Sequence, residues 1–205
     1  QKVILSGADC LHLVLDKHAK KHSAGGNVMR KIFYFNSALS YNKINDILKS
    51  SPVIYWLCNI KFVPGLLMKL PTWQYIDRNN EIILLEHHTV VEDGIPDNIL
   101  NRDITIESTR FIEADLVHYP SGGCAFILSW NHILLDAKGT TLLFEHLNLL
   151  SENKPQSVDT FFPGKEKKTN IVTYIRNMYK VKRFVQTSSN PPVSSVACTS
   201  LKTGD

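Results

Sequence analysis

His132 and Asp136 stand four residues apart in Cys124–Leu150, CAFILSWNHILLDAKGTTLLFEHLNLL, where an apolar run gives way to a helical pattern. An unperturbed imidazole titrates near pH ~6.5, so at neutral pH it can take a proton and act as a general base. A strand end is a good mount for such a base, because the backbone is held while the ring can still face a cavity. Asn131 precedes the histidine and Gly139 follows the aspartate. The plainer alternative for His132 is a hydrogen-bonded histidine that closes a strand. A second cluster, Glu86-His87-His88-Thr89-Val90-Val91-Glu92-Asp93-Gly94, also carries paired histidines and an Asp-Gly. There the surroundings are turn chemistry, with Pro96 stopping any immediate helix. Ordinary alternation at the end of a strand accounts for His87 and His88.

The elements that must position these residues follow from periodicity. Cys124 to Trp130 is a continuous β-prone run, as expected of a buried strand. After Gly139, Leu142, Leu143, His146, Leu147 and Leu150 recur at helical spacing. Arg110–Tyr119 and Cys124–His132 predict a hairpin around Pro120-Ser121-Gly122-Gly123. Upstream, Ser6 is a natural N-cap and Asp9 suits the positive end of a first helix. Leu11, Val14, Leu15 and His18 predict its apolar stripe, with Lys17, Lys20 and Lys21 facing water. Lys31–Leu39 reads as a strand and Tyr41–Lys49 as a helix with Ile44, Ile47 and Leu48 inward. Ser50-Ser51-Pro52 breaks that helix, and Val53–Val63 is apolar with both helical and strand readings open. Thr72–Asp77 and Glu81–Val91 predict strands around a turn at Arg78-Asn79-Asn80. Ser151–Lys168 reads as loop, and Asn170–Val185 as a helix with Ile171, Ile175, Met178, Val181 and Val185 on one face. The order predicts an α/β (α+β) chain forming a two-layer αβ sandwich, a mixed and largely antiparallel sheet covered by helices.

Asn131-His132-x-x-x-Asp136 resembles the HHxxxDG motif of the condensation-domain acyltransferase superfamily. That superfamily includes chloramphenicol acetyltransferase, peptide-synthetase condensation domains and wax ester synthase/diacylglycerol acyltransferases. Asn131 stands at the first histidine and Ala137 at the glycine, with a glycine appearing only at Gly139. Leu5-Ser6-Gly7-Ala8-Asp9 is similar to the short Leu-Ser-x-x-Asp opening of the wax ester synthase branch. The resemblance implies a chloramphenicol acetyltransferase-like fold, with His132 as the base that deprotonates an acceptor hydroxyl or amine. It implies that Asp136 is mainly architectural, paired with an arginine elsewhere. It also implies a thioester co-substrate, either acyl-CoA or a phosphopantetheine-bound acyl group, with no tightly bound cofactor and no metal. In the family the catalytic tunnel lies between two similar halves. Residues 1–186 match the N-terminal half, and 187–205 read as a Ser/Pro linker and the start of a missing C-terminal half. The chain is expected to be a fragment, inactive as an isolated half. The competing expectation is a degenerate, non-catalytic binding or scaffolding module, favoured by Asn131 and Ala137.

Bulk properties narrow the remaining classes. The chain has 205 residues, 43% of them hydrophobic and 20% charged, as in a soluble globular protein. Four widely spaced cysteines form no CxxC pair and no zinc spacing, which points to a reducing compartment; the expected location is the cytoplasm. No apolar run approaches the ~18–20 residues of a membrane span. There is no P-loop, Rossmann glycine pattern, HExxH or GxSxG, and Ser129 has no reason to be an activated nucleophile. Between Lys165 and Arg183 seven Lys/Arg face one Glu, a net +6 against −2 for the remainder and +4 overall. Such a run is either a solvated helix face or a contact for an anionic partner, such as coenzyme A phosphates, a carrier protein or a lipid surface. Nothing in the sequence signals nucleic-acid binding.

Overall fold

The strand Cys124–Asn131 is buried along all eight of its residues, and the rest of the chain is laid around it. The structure, a computed structural model, describes residues 2–5, 7–22, 27–65, 70–76, 84–106, 110–154 and 171–187. The elements are β1 (Lys2–Ile4), α1 (Gly7–His22), β2 (Val28–Phe35), α2 (Tyr41–Ser50), α3 (Pro52–Cys58), β3 (Ile60–Val63) and β4 (Thr72–Tyr75). They continue with β5 (Leu85–Thr89), α4 (Asp97–Leu100), β6 (Ile112–His118), β7 (Cys124–Asn131), α5 (Ala137–Ser151) and α6 (Ile171–Thr187).

The larger sheet has the order β2-β7-β6-β5; β2, β7 and β6 are antiparallel neighbours, and β5 runs parallel to β6. A smaller antiparallel sheet has the order β1-β4-β3. This is the mixed, largely antiparallel arrangement with covering helices that the sequence predicts. The β6–β7 hairpin turns where Gly122 adopts a φ of 91°, a conformation that side-chain-bearing residues resist.

Side chains alternate along β7, so its continuous apolar run means that both faces are covered. Cys124, Phe126, Leu128 and Trp130 join Ala114 and Leu116 in one core, packed against Leu48, Leu57, Leu143 and Leu147 of α2, α3 and α5. Ala125 and Ile127 lie on the other face with Val117 and Ile99. Ser51 closes α2, caps α3 by accepting the Ile54 N–H, and meets His146 Nε2 at 2.9 Å. That buried contact ties the α2–α3 corner to α5, so His146 serves packing.

Several boundaries differ from the sequence reading. The segment 53–63 is both things in succession, helix α3 and then strand β3. Pro52 at its first position favours the helix start. The strand expected over 31–39 begins earlier, at Val28, and ends at Phe35, while of the one expected over 81–91 the described residues form Leu85–Thr89 and residues 81–83 lie outside them. Helix α1 buries Cys10, Leu13 and Asp16, whereas Leu11, Val14 and Leu15 are only half-buried. Its inward face is thus rotated from the expected stripe, because a buried polar contact claims Asp16. On α6, Tyr174 and Met178 turn towards the core, and Ile175 is 60% exposed instead of inward. The cap at Ser6, the side chain of His18, the turn at 78–80, most of the 151–168 loop and residues 188–205 lie outside the described residues.

Candidate active site

His132 follows the last residue of β7, and its backbone is pinned on both sides. The Asn131 N–H bonds to the Phe111 carbonyl at 3.0 Å, and the His132 N–H bonds to the Asn27 carbonyl at 2.8 Å. The Asn131 side chain is fully buried. Its Nδ2 donates to Asp16 Oδ1 at 3.0 Å and to the Ile104 carbonyl at 2.7 Å, and its Oδ1 accepts the Ile133 N–H at 3.1 Å. One amide therefore joins α1, the segment before β6 and the turn that carries His132. An imidazole has two ring nitrogens and could not make all three bonds. The asparagine is an architectural solution at this position.

Asp136 is the N-cap of α5, and its carboxylate accepts the Gly139 N–H at 2.7 Å. The resemblance assigns it an arginine partner; no described arginine forms an ion pair with it. Ala137 is the first residue of α5 and needs no positive φ, so a glycine there is dispensable to the turn. Gly139 matters for space instead. A Cβ on it would lie 3.3 Å from both Asp136 Oδ1 and Leu135 Cδ2, crowding the cap.

The His132 ring is half-buried and meets His12 of α1 with ring centroids 4.0 Å apart at 73°. Burial pushes the His132 imidazole below the ordinary histidine range. His12 adds to that shift, and Asp136 works against it. Burial lowers His12 in the same way, again opposed by Asp136. Both rings are thereby held neutral at neutral pH, the state a proton acceptor needs. Sequence reasoning missed His12 and Asp16. The available signal was one acidic residue and one histidine at i, i+4 within an otherwise apolar helix face.

The other histidine cluster is built differently. His87 and His88 project to opposite faces of β5. His87 Nε2 meets His118 Nδ1 at 3.0 Å, and His118 in turn reaches the Leu39 carbonyl. His88 Nε2 meets the fully buried Asp115 at 2.8 Å. Arg102 bonds to Glu113 at 2.6 Å and to Asp115 at 3.1 Å, with Glu86 at 3.6 Å. Arg30 donates to the Ile99 and Arg102 carbonyls and so steadies the loop that carries Arg102. Glu86, His88 and Asp115 offer ligand atoms within 4.8 Å of one another, as a metal site would. Arg102 already supplies positive charge to these acids.

No family model matches the sequence, and no curated protein does so. Solved structures do. The first condensation domain of the CDA synthetase superposes with a TM-score of 0.56 at 12% identity, over 88% of this chain and 44% of that one. The starter condensation domain of rhizomide synthetase RzmA gives 0.55 at 11% identity, over 88% and 45%. The backbone thus shares the fold of these condensation domains. More particularly it has the fold of the N-terminal half of a condensation domain. The chain spans less than half the length of these structures.

Proposed function

We propose that the protein forms one half of an acyltransferase that moves an acyl group from a thioester to a hydroxyl or amine, with His132 as general base. The observation that carries this reading is the placement of His132. It is a half-buried imidazole, its pKa lowered by burial, on a pinned strand end, next to a helix capped by Asp136, in a condensation-domain fold. In the reaction, the acceptor heteroatom attacks the thioester carbonyl while His132 takes its proton. The tetrahedral adduct then expels the thiolate with cleavage of the C–S bond. The imidazolium returns the proton to the thiolate, so the products are the ester or amide and a free thiol. General base catalysis of this kind contributes ~10²–10⁴-fold. Asp136 and Asn131 hold the turn, and Gly139 leaves room for the cap.

The donor in this reading is acyl-CoA or an acyl group on a carrier phosphopantetheine, used as co-substrate. Residues 1–186 supply the base, and a second half of similar fold closes the tunnel and excludes water, favouring the acceptor over hydrolysis. The exposed Arg176, Lys180 and Arg183 of α6 offer a surface for an anionic partner, a carrier protein or a lipid face. No described helix is long and apolar enough to cross a membrane. A second reading, a non-catalytic binding or scaffolding module, is favoured by Asn131, whose side chain is wholly engaged in structural bonds.

The test is thiol release from a panel of acyl-CoA and carrier-bound donors with alcohol and amine acceptors, using the longest polypeptide the gene encodes. Acceptor-dependent release that vanishes in His132→Ala is the expected result. Silence across the panel from a folded protein would favour the module.

A further inference from the structure

We propose that His12 is the positioning residue for His132, fixing the orientation of its ring by edge-to-face contact and making the two imidazoles titrate as one unit. The inference deepens the acyl-transfer reading, and it rests on His132 being the base.

His12 and Asp16 are one helical turn apart on α1 and share a face. Asn131 and His132 are adjacent at the end of β7. Asp16 holds Asn131 at 3.0 Å, and His12 meets His132 at a centroid separation of 4.0 Å. One turn of helix therefore grips two successive residues of the strand end, the first by a hydrogen bond and the second through its ring. The Asn131 amide and the Ile133 N–H fix the backbone on either side, so the remaining freedom of His132 is rotation of its side chain. His12 restricts that rotation.

His12 does not look like a histidine kept for structure. Its Nδ1 is buried and has no hydrogen-bond partner among the described residues. An unmet buried polar atom destabilises the fold, and a phenylalanine would fill an apolar contact without that cost. By contrast, His87, His88, His118 and His146 each meet a polar partner. The charged and titratable groups acting on the pair are each other and Asp136; Asp16, one turn along α1, is engaged by Asn131 and the Asn27 N–H. Two imidazoles in contact disfavour double protonation, so their protons are taken up in coupled steps. In the reaction, a neutral His12 then stands beside the imidazolium that His132 becomes. Its presence disfavours a second proton on the pair while the first awaits transfer to the thiolate.

The experiment is an imidazole C–H NMR titration of His132 in the wild-type protein, His12→Gln and His12→Phe, alongside the pH profile of acyl transfer. In the wild type, His132 should titrate in two coupled steps, with its principal midpoint below the ordinary histidine range. Both variants should reduce this to one step, and His12→Gln should raise the midpoint, because His12 is one of the groups that lower it. The acid limb of kcat/KM should move in the same direction. His12→Phe preserves the ring contact and the packing, so it should fold as the wild type does and keep most of kcat. A loose ring in His12→Gln should cost on the order of tenfold or more. Titration curves of His132 that coincide in all three proteins would overturn the proposal and leave His12 a packing residue. That outcome is separate from failure of the acyl-transfer reading, because the titration needs no donor or acceptor.

Discussion

Two regions of this protein bring histidines together, and they differ in what surrounds the rings. At β5 and β6, His88, Asp115, Arg102 and Glu113 alternate acid with base, so each charge is paired. Behind β7, His132 meets a second histidine, while the nearby carboxylate of Asp136 is occupied as a helix cap. The first arrangement spends its charges on holding two parallel strands and a loop together. The second leaves an imidazole neutral and uncommitted, which is the condition for accepting a proton from something else. The contrast teaches that neighbouring histidines in sequence do not fix what a ring does: His88 is committed to Asp115, whereas His132 meets a second ring instead of a hydrogen-bonded acid.

The contrast can be broken from the structural side first, where the largest effect is expected. Arg102→Ala would leave the buried Asp115 and its neighbour Glu113 without their counter-charge. Losing one partner of a buried pair costs about 3–5 kcal/mol, and Arg102 retains some exposure, so the lower end applies. Denaturant unfolding should show that loss, while transfer per folded molecule stays unchanged. Asn131→His, which restores the paired histidines of the motif, should destabilise by about 1–3 kcal/mol because one of the three buried bonds must be lost. A gain in stability would contradict the architectural role of Asn131.

Asp136→Ala should cost about 1 kcal/mol for the lost cap and lower the His132 midpoint further, since Asp136 is the group that raises it. The sign for stability follows. The folded His132 titrates below its unfolded value of ~6.5. Stability is therefore fully present above that pH and is lost as pH falls towards the folded pKa. Removing Asp136 should extend this loss to lower pH, seen as a larger fall in melting temperature between pH 7 and 5.

Local patterns in the sequence disclosed the hairpin, the β7–turn–α5 unit and the mixed sheet, because each is written in alternation or helical spacing within a short window. Pro52 resolved the ambiguous segment 53–63 only through tertiary structure, since its apolar residues satisfy both periods until α3 and β3 separate at Asn59. The grip of α1 on the strand end was not legible. His12 and Asp16 lie more than a hundred residues from Asn131 and His132 in the sequence; their i, i+4 spacing marks a shared helix face, but nothing local says what that face grips. The role of Asp136 as a cap is legible in principle, being an aspartate three residues before the N–H it accepts, whereas the motif resemblance implies an arginine partner instead.

The most direct test sets the two regions against each other in one experiment. His132→Ala and His88→Ala are compared for acceptor-dependent thiol release and for melting temperature in the same preparation. His132→Ala should lose ~10²–10⁴-fold in transfer with melting close to the wild type, and His88→Ala should melt lower but keep its turnover. Wild-type transfer by a folded His132→Ala protein would contradict it, as would loss of transfer in a His88→Ala protein that remains folded.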